Sequence, residues 1–143
     1  MNARERLREA KRSVGKVGTS TLVRTSGTPD FRRMDRLVRE IADLKNAGRE
    51  MVLVSSGAIA IGMDSIGLQE KPAEIPARQA LAAIGQSSLM TLYKKFFADY
   101  GQTAAQVLLT KENAARHHQY ANSRNALLEL LSMGAVPVIN END

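Results

Sequence analysis

Three short stretches hold the side chains that could do chemistry. In "GKVGTS" (Gly15–Ser20) a lysine stands just before a Gly-Thr-Ser turn. Backbone N–H groups of such a turn can face a phosphate, and Gly18 removes the Cβ that would obstruct a close approach. Lys16 is placed to offset charge on a transferred phosphoryl group. The G-x-x-x-x-G-K-[ST] spacing is absent, so the motif alone is weak, and a lysine beside a Gly-Thr turn is ordinarily a surface residue. In "VLVSSGAIAIG" (Val52–Gly62) an apolar run ends in Ser55-Ser56-Gly57 and a helical pattern starts at once. The first N–H groups of that helix, beside a serine hydroxyl, suit a carboxylate or phosphate. The plainer reading is a serine N-cap with glycine easing the turn. In "INEND" (Ile139–Asp143), Asn140, Glu141, Asn142 and Asp143 follow a Pro-Val-Ile run. A carboxylate and amides there could grip an amino group, although the same residues also make ordinary hydrophilic turns.

These groups meet only if the chain places them on one edge. Short β-like runs alternate with longer helical ones, which predicts parallel βαβ units and a sheet covered by helices. Strands are expected around Val14–Val23 with its turn, at Met51–Val54, at Ala104–Thr110 and over "AVPVIN". Phe31, Met34, Leu37, Val38, Ile41 and Leu44 recur at helical spacing, with Asp30 as N-cap and Gly48 just past the end. "AIAIGMDSIGL" predicts a short helix. Ala77 to about Tyr100 predicts a long one, with Pro76 at its start, Gly101 at its end and Leu81, Ile84, Leu89, Leu92 and Phe96 on its buried side. "NSRNALLELLSMG" predicts an amphipathic helix. In a parallel sheet all three chemical stretches then fall at the carboxyl ends of strands, where open α/β proteins bind ligands.

The 143 residues predict one domain, and 43% hydrophobic with 24% charged content is that of a globular chain. The net charge of +5 suits an anionic ligand or nucleic acid. Aromatic content of 4% without tryptophan argues against a base-stacking surface, so a nucleic-acid binder is the weakest of the readings. Absence of cysteine excludes disulfide and thiolate chemistry and is consistent with a reducing cytosol. No apolar run reaches the roughly 20 residues of a membrane helix, and "MNARERLREAKRS" has no apolar segment behind it, so it reads as a solvated first helix. His117 and His118 are adjacent and cannot face one metal from one helix, so no metal site is expected. "RHHQYANSR" reads as a polar loop, and Met51, Met63, Met90 and Met133 as core.

Taken together, "KVGTSTL", "VLVSSGAIAIG", "QALAAIGQSSLM", "QVLLT" and "PVINEND" resemble the glutamate 5-kinases of the amino acid kinase family, from about Ala10 to Asp143. The resemblance implies a three-layer α/β/α fold and phosphorylation of the γ-carboxylate of L-glutamate by ATP with Mg²⁺, the first step of proline synthesis. It implies that Lys16 meets the ATP phosphates, with Gly18, Thr19 and Ser20 forming the adjoining turn. Ser56, Gly57 and Ala58 correspond to the glutamate-binding Ser-Gly-Ala, and Asp143, with Asn140 beside it, to the residues holding the substrate. Lys111 to Arg124 corresponds to the region sensing glutamate and proline, the latter as a feedback ligand. Homo-oligomers without nucleic-acid or membrane partners are implied. Ser13 and Gly15 interrupt a strand that is an unbroken apolar run in the family, and glycine within a central strand weakens it. In the family the domain continues past "NEND" to the nucleotide base and ribose pocket, a second phosphate-side lysine and often a PUA domain. Residues 1–143 therefore correspond to the N-terminal, glutamate-binding part of a truncated domain, expected to be inactive alone. A non-catalytic glutamate- or proline-binding module is the competing reading, and an open sheet edge would favour association.

Overall fold

In a computed structural model the described residues are 2–108 and 117–141, the side chains of 117–121 excepted. They form α1 (Ala3–Glu9), β1 (Arg12–Val17), α2 (Thr19–Leu22), α3 (Phe31–Asn46), β2 (Glu50–Ser55), α4 (Ala58–Ile66), α5 (Ile75–Asp99), β3 (Ala104–Val107), α6 (His117–Ser132) and β4 (Val136–Asn140). Every strand pairing is parallel, in the order β1-β2-β4-β3. The crossovers from β1 to β2 and from β2 to β3 advance across the sheet, while the one from β3 to β4 returns. Crossovers between parallel strands are right-handed, so α3, α4 and α5 lie over one face and α6 over the other. The expected three layers follow from strand order and handedness.

Alternation along the strands sends Val17, Met51, Leu53, Val136 and Val138 beneath α3 and α5. There they meet Met34, Val38 and Ile41 of α3 and Leu89, Tyr93 and Phe97 of α5. The Asp30 carboxylate accepts the Arg33 N–H and caps α3, and Gly48, at φ +97°, follows its C-cap as expected. Phe31 is exposed, contrary to expectation, because it is the first helical residue, a turn ahead of Met34, the first that is buried. On α5 the buried stripe runs through Leu81, Gly85, Leu89, Met90, Tyr93 and Phe97. Ile84 is exposed, and Leu92 and Phe96 are only partly buried. This helix packs on α4 as well as on the sheet, and periodicity alone cannot choose between neighbouring stripes.

Other expectations change. Met133, in the turn after α6, is 72% exposed, and Met63 is half-buried, whereas Met51 and Met90 are core. The chain from His117 is helical rather than a polar loop. β3 ends at Val107, with Leu108 exposed, and Leu109 and Thr110 lie outside the described residues. Ser13 and Gly15 do not interrupt pairing, since Gly15 stands opposite Leu53 in an unbroken register. β1 is also not central: among the described residues it has one neighbour, and Val14 on its α6-side face is 64% exposed. The missing side chain at Gly15 therefore costs packing on a flank of the sheet rather than in its middle.

Candidate active site

Register brings the chemical residues together. Val17 pairs with Ser55, and Ser55 with Asn140, so three strands end level. The ladder runs one residue further: the Ser56 N–H donates to Val17 O at 3.0 Å, and the Glu141 N–H to Ser55 O at 3.0 Å. Gly18, Ser56 and Glu141 thus emerge side by side.

The Glu141 carboxylate then joins two sides of the site. Its Oε1 lies 2.9 Å from Lys16 Nζ, and its Oε2 accepts a hydrogen bond from Ser56 Oγ at 3.1 Å. The Lys16 ammonium, and secondarily the Ser56 hydroxyl, hold the Glu141 carboxyl below its usual pKa. Lys16 remains 66% exposed at its side chain, open to a ligand arriving from solvent.

Beneath this polar rim the support is buried. Ser55 Oγ donates to Ser56 O at 2.9 Å and lies 2.7 Å from the Tyr93 hydroxyl, and both side chains are fully buried. One serine proton serves both contacts if the tyrosine donates to Ser55. Burial pushes the Tyr93 phenol up to about 12 and outweighs the Ser55 hydrogen bond, which acts the other way.

Gly57 adopts φ +108° as the N-cap of α4, a conformation that costs a side-chain-bearing residue strain. Contrary to the plainer sequence reading, no serine caps this helix, since no side chain bonds its first N–H groups and the Ser56 hydroxyl turns to Glu141 instead. The helix start is seated from behind. A methyl group on Gly85 would lie 1.5 Å from Ala58 O, and one on Gly62 would lie 2.1 Å from Leu81 O. Only glycine lets the backbones of α4 and α5 approach this closely. Thr19, Gly57, Ala58, Met63, Lys71 and Glu141 line the resulting cleft of about 250 Å³.

Of the residues singled out in sequence, Lys16, Thr19, Ser56, Gly57 and Ala58 converge here. Asn140 ends β4 level with Ser55 and is half-buried. Gly18 caps α2, and a Cβ there would meet no protein atom within 4 Å, so any need for glycine at that point is one a ligand would impose. Ser20 lines a different pocket. Asp143, Asn142 and much of the 111–124 stretch lie outside the described residues. Lys71 was missed as a site residue, and Glu141 was named only within the polar run after β4, without a role of its own. A signal for Glu141 existed in strand parity, because Ile139 pairs with Val54 and Val54 with Lys16, which puts residue 141 on the Lys16 side once the register is known. Lys71 stands in a breaker segment with no periodicity to mark it.

Among the described residues no cluster of three or more His, Asp or Glu side chains is placed to hold a metal ion. No helix among them is long and apolar enough to cross a membrane.

A model of the amino acid kinase family matches residues 11–143. The glutamate 5-kinase of Moorella thermoacetica is 54% identical over 137 residues, 96% of this chain and 36% of that protein. That of Symbiobacterium thermophilum is 49% identical over 98% of this chain and 53% of its own length. The chain thus spans between about a third and a half of these relatives. The isopentenyl phosphate kinase of T. acidophilum, solved as a product complex, superposes with a TM-score of 0.59 over 91% of this chain and 56% of that one. At 16% identity this likeness speaks for the fold alone.

Proposed function

The chain belongs to the amino acid kinase family, and on that premise we propose that it carries the acceptor side of a kinase that phosphorylates the γ-carboxylate of L-glutamate with ATP. A γ-carboxylate oxygen attacks the terminal phosphorus of ATP, the bond to the ADP oxygen breaks, and γ-glutamyl phosphate and ADP leave. The protein need supply no covalent nucleophile, only position and electrostatics. Lys16 offsets charge on the phosphoryl group, and Thr19 with the Gly18–Ser20 backbone borders its path. Ser56 and the first N–H groups of α4 orient the acceptor carboxylate. Asn140 and Asp143 hold the amino group. Mg²⁺ travels on the ATP phosphates, and no step here is routed through it. The reaction belongs to the cytosol, as the opening step of proline synthesis.

One observation carries this reading: the Lys16 ammonium and the Ser56 hydroxyl, from different strands, meet on one carboxylate at the mouth of one cleft. The test combines this chain with a separately supplied downstream portion of the domain, ATP, Mg²⁺, glutamate and hydroxylamine, which traps the acyl phosphate as hydroxamate. Product is expected only with both portions, and Lys16→Ala should lower its rate roughly a hundredfold. Undiminished product from both Lys16→Ala and Ser56→Ala would overturn the proposal. Because the chain spans only 36% to 53% of those two relatives, binding without turnover is the second reading. Calorimetry of the chain alone with glutamate, and with proline as competitor, measures it directly.

A further inference from the structure

α2 separates two concavities. Thr19 lines the cleft, whereas the next residue, Ser20, lines a second, open pocket of about 670 Å³. Its wall carries Arg24, Arg32, Arg33 and Arg36, together with Thr25. One acid, Asp30, shares that wall, and its carboxylate is already engaged: it accepts the Arg33 N–H at 3.2 Å and lies 3.6 Å from the Arg33 guanidinium. Arg33 also donates to Ser20 O at 3.4 Å, and Arg36 faces Glu40 at 3.4 Å, an exposed pair of little energetic weight. The guanidinium groups of Arg24 and Arg32 have no hydrogen-bond or ion-pair partner among the described residues.

Cations gathered on one concave wall repel each other unless something multiply negative lies between them. Guanidinium forks match phosphate oxygens in pairs, and several forks require a ligand bearing several charges. The volume falls within the range of small-molecule sites, roughly 300–1,000 Å³. Among the described residues no aromatic side chain lines the pocket, so recognition would rest on phosphates rather than on a stacked base. A nucleic acid would call for an extended basic stripe, whereas these arginines close around a single hollow.

We propose that this pocket binds a small ligand bearing a di- or triphosphate group, at a site separate from the cleft. The inference does not rest on the proposed glutamate chemistry, and either can fail without the other.

The test titrates the chain with inorganic tripolyphosphate at low salt, by calorimetry and by amide NMR. Binding is expected, with shifts at Arg24, Thr25 and Arg32. The double substitution Arg24→Ala/Arg32→Ala should weaken it by about tenfold or more, since charge-assisted hydrogen bonds are lost. Lys16→Ala should leave the shifts at Arg24, Thr25 and Arg32 intact, whatever it removes at the cleft. Should the double alanine variant lose its circular-dichroism melt, Arg24→Lys/Arg32→Lys carries the test, because it keeps the charge and loses only the paired geometry, and weaker binding is again expected. Absence of binding, or binding unchanged in whichever double variant folds, overturns the proposal. Loss of those shifts through Lys16→Ala places the anion in the cleft and overturns it too. A short single-stranded oligonucleotide that displaces tripolyphosphate from the same arginines, with steep salt dependence, would make the ligand a nucleic acid instead.

Discussion

At the rim of the cleft Lys16 and Glu141 pair, and the paired groups come from far apart in the chain. Lys16 from β1, Ser56 from the end of β2 and Glu141 from the end of β4 meet within 3.1 Å, over the buried Ser55–Tyr93 pair. In the arginine pocket the positive groups come from one stretch of chain around α2 and the start of α3, and two of them have no partner among the described residues. The cleft is therefore tied to strand register and the core, while the pocket is tied only to exposed side chains. Substitutions that move the backbone behind the cleft should damage stability and ligand binding together. Substitutions at the pocket should change binding alone.

The largest effect is expected from Gly85→Ala. Its methyl group would enter the Ala58 carbonyl, and backbone cannot rotate away as a side chain can. Urea unfolding should show a loss of about 3 kcal/mol, with glutamate binding lost as well. A variant as stable as the parent would mean that this contact does not seat α4. Next comes Tyr93→Phe, which removes a buried hydroxyl partner of Ser55, and a loss of about 1 kcal/mol is expected by the same measurement.

Alkaline pH probes that phenol directly. Its pKa rises from 10.0 unfolded to about 12 folded, so its contribution is complete below pH 10 and disappears as pH climbs through about 12. Unfolding measured across that window should show a falling stability that Tyr93→Phe flattens. An unchanged slope in the variant would assign the decline to other groups.

Glu141→Gln should move stability little, since its bridge stands at the exposed rim, yet it should remove the carboxylate that pairs with Lys16. Because the Glu141 pKa is lowered, the charged bridge persists above the ordinary carboxylate value and opens only as pH falls through the lowered one. The Lys16 side-chain NMR signal should follow that titration in the parent and stay flat in the variant. At the far end of the comparison, Arg24→Ala/Arg32→Ala should leave the unfolding midpoint where it was, since neither guanidinium holds a partner among the described residues.

Much of the fold was legible before any coordinates. The spacing of Met34, Val38 and Ile41 marked α3, and Asp30 and Gly48 marked its ends. The apolar run ending in Ser55-Ser56-Gly57 marked a buried strand feeding a helix. Errors fell where one element has two neighbours. On α5, Ile84 and Phe97 both belong to apolar stripes, and only the packing against α4 and the sheet decides which is buried. Lys16, Ser56 and Gly57 were readable as chemistry because their types and turn positions are local properties. The pairing of Glu141 with Lys16 was not, because the lysine lies on a strand more than a hundred residues earlier in the chain.

The residues alone determined most of the alternation of strands and helices, the lysine before its turn, and the glycine turn leading into α4, all consequences of short-range periodicity and backbone sterics. Tertiary structure decided the order β1-β2-β4-β3 and the register that sets Val17, Ser55 and Asn140 level. From that register came the choice of Glu141 as the carboxylate joining Lys16 to Ser56. Pairing between distant strands depends on which faces can be buried together, and no local window of sequence contains that information.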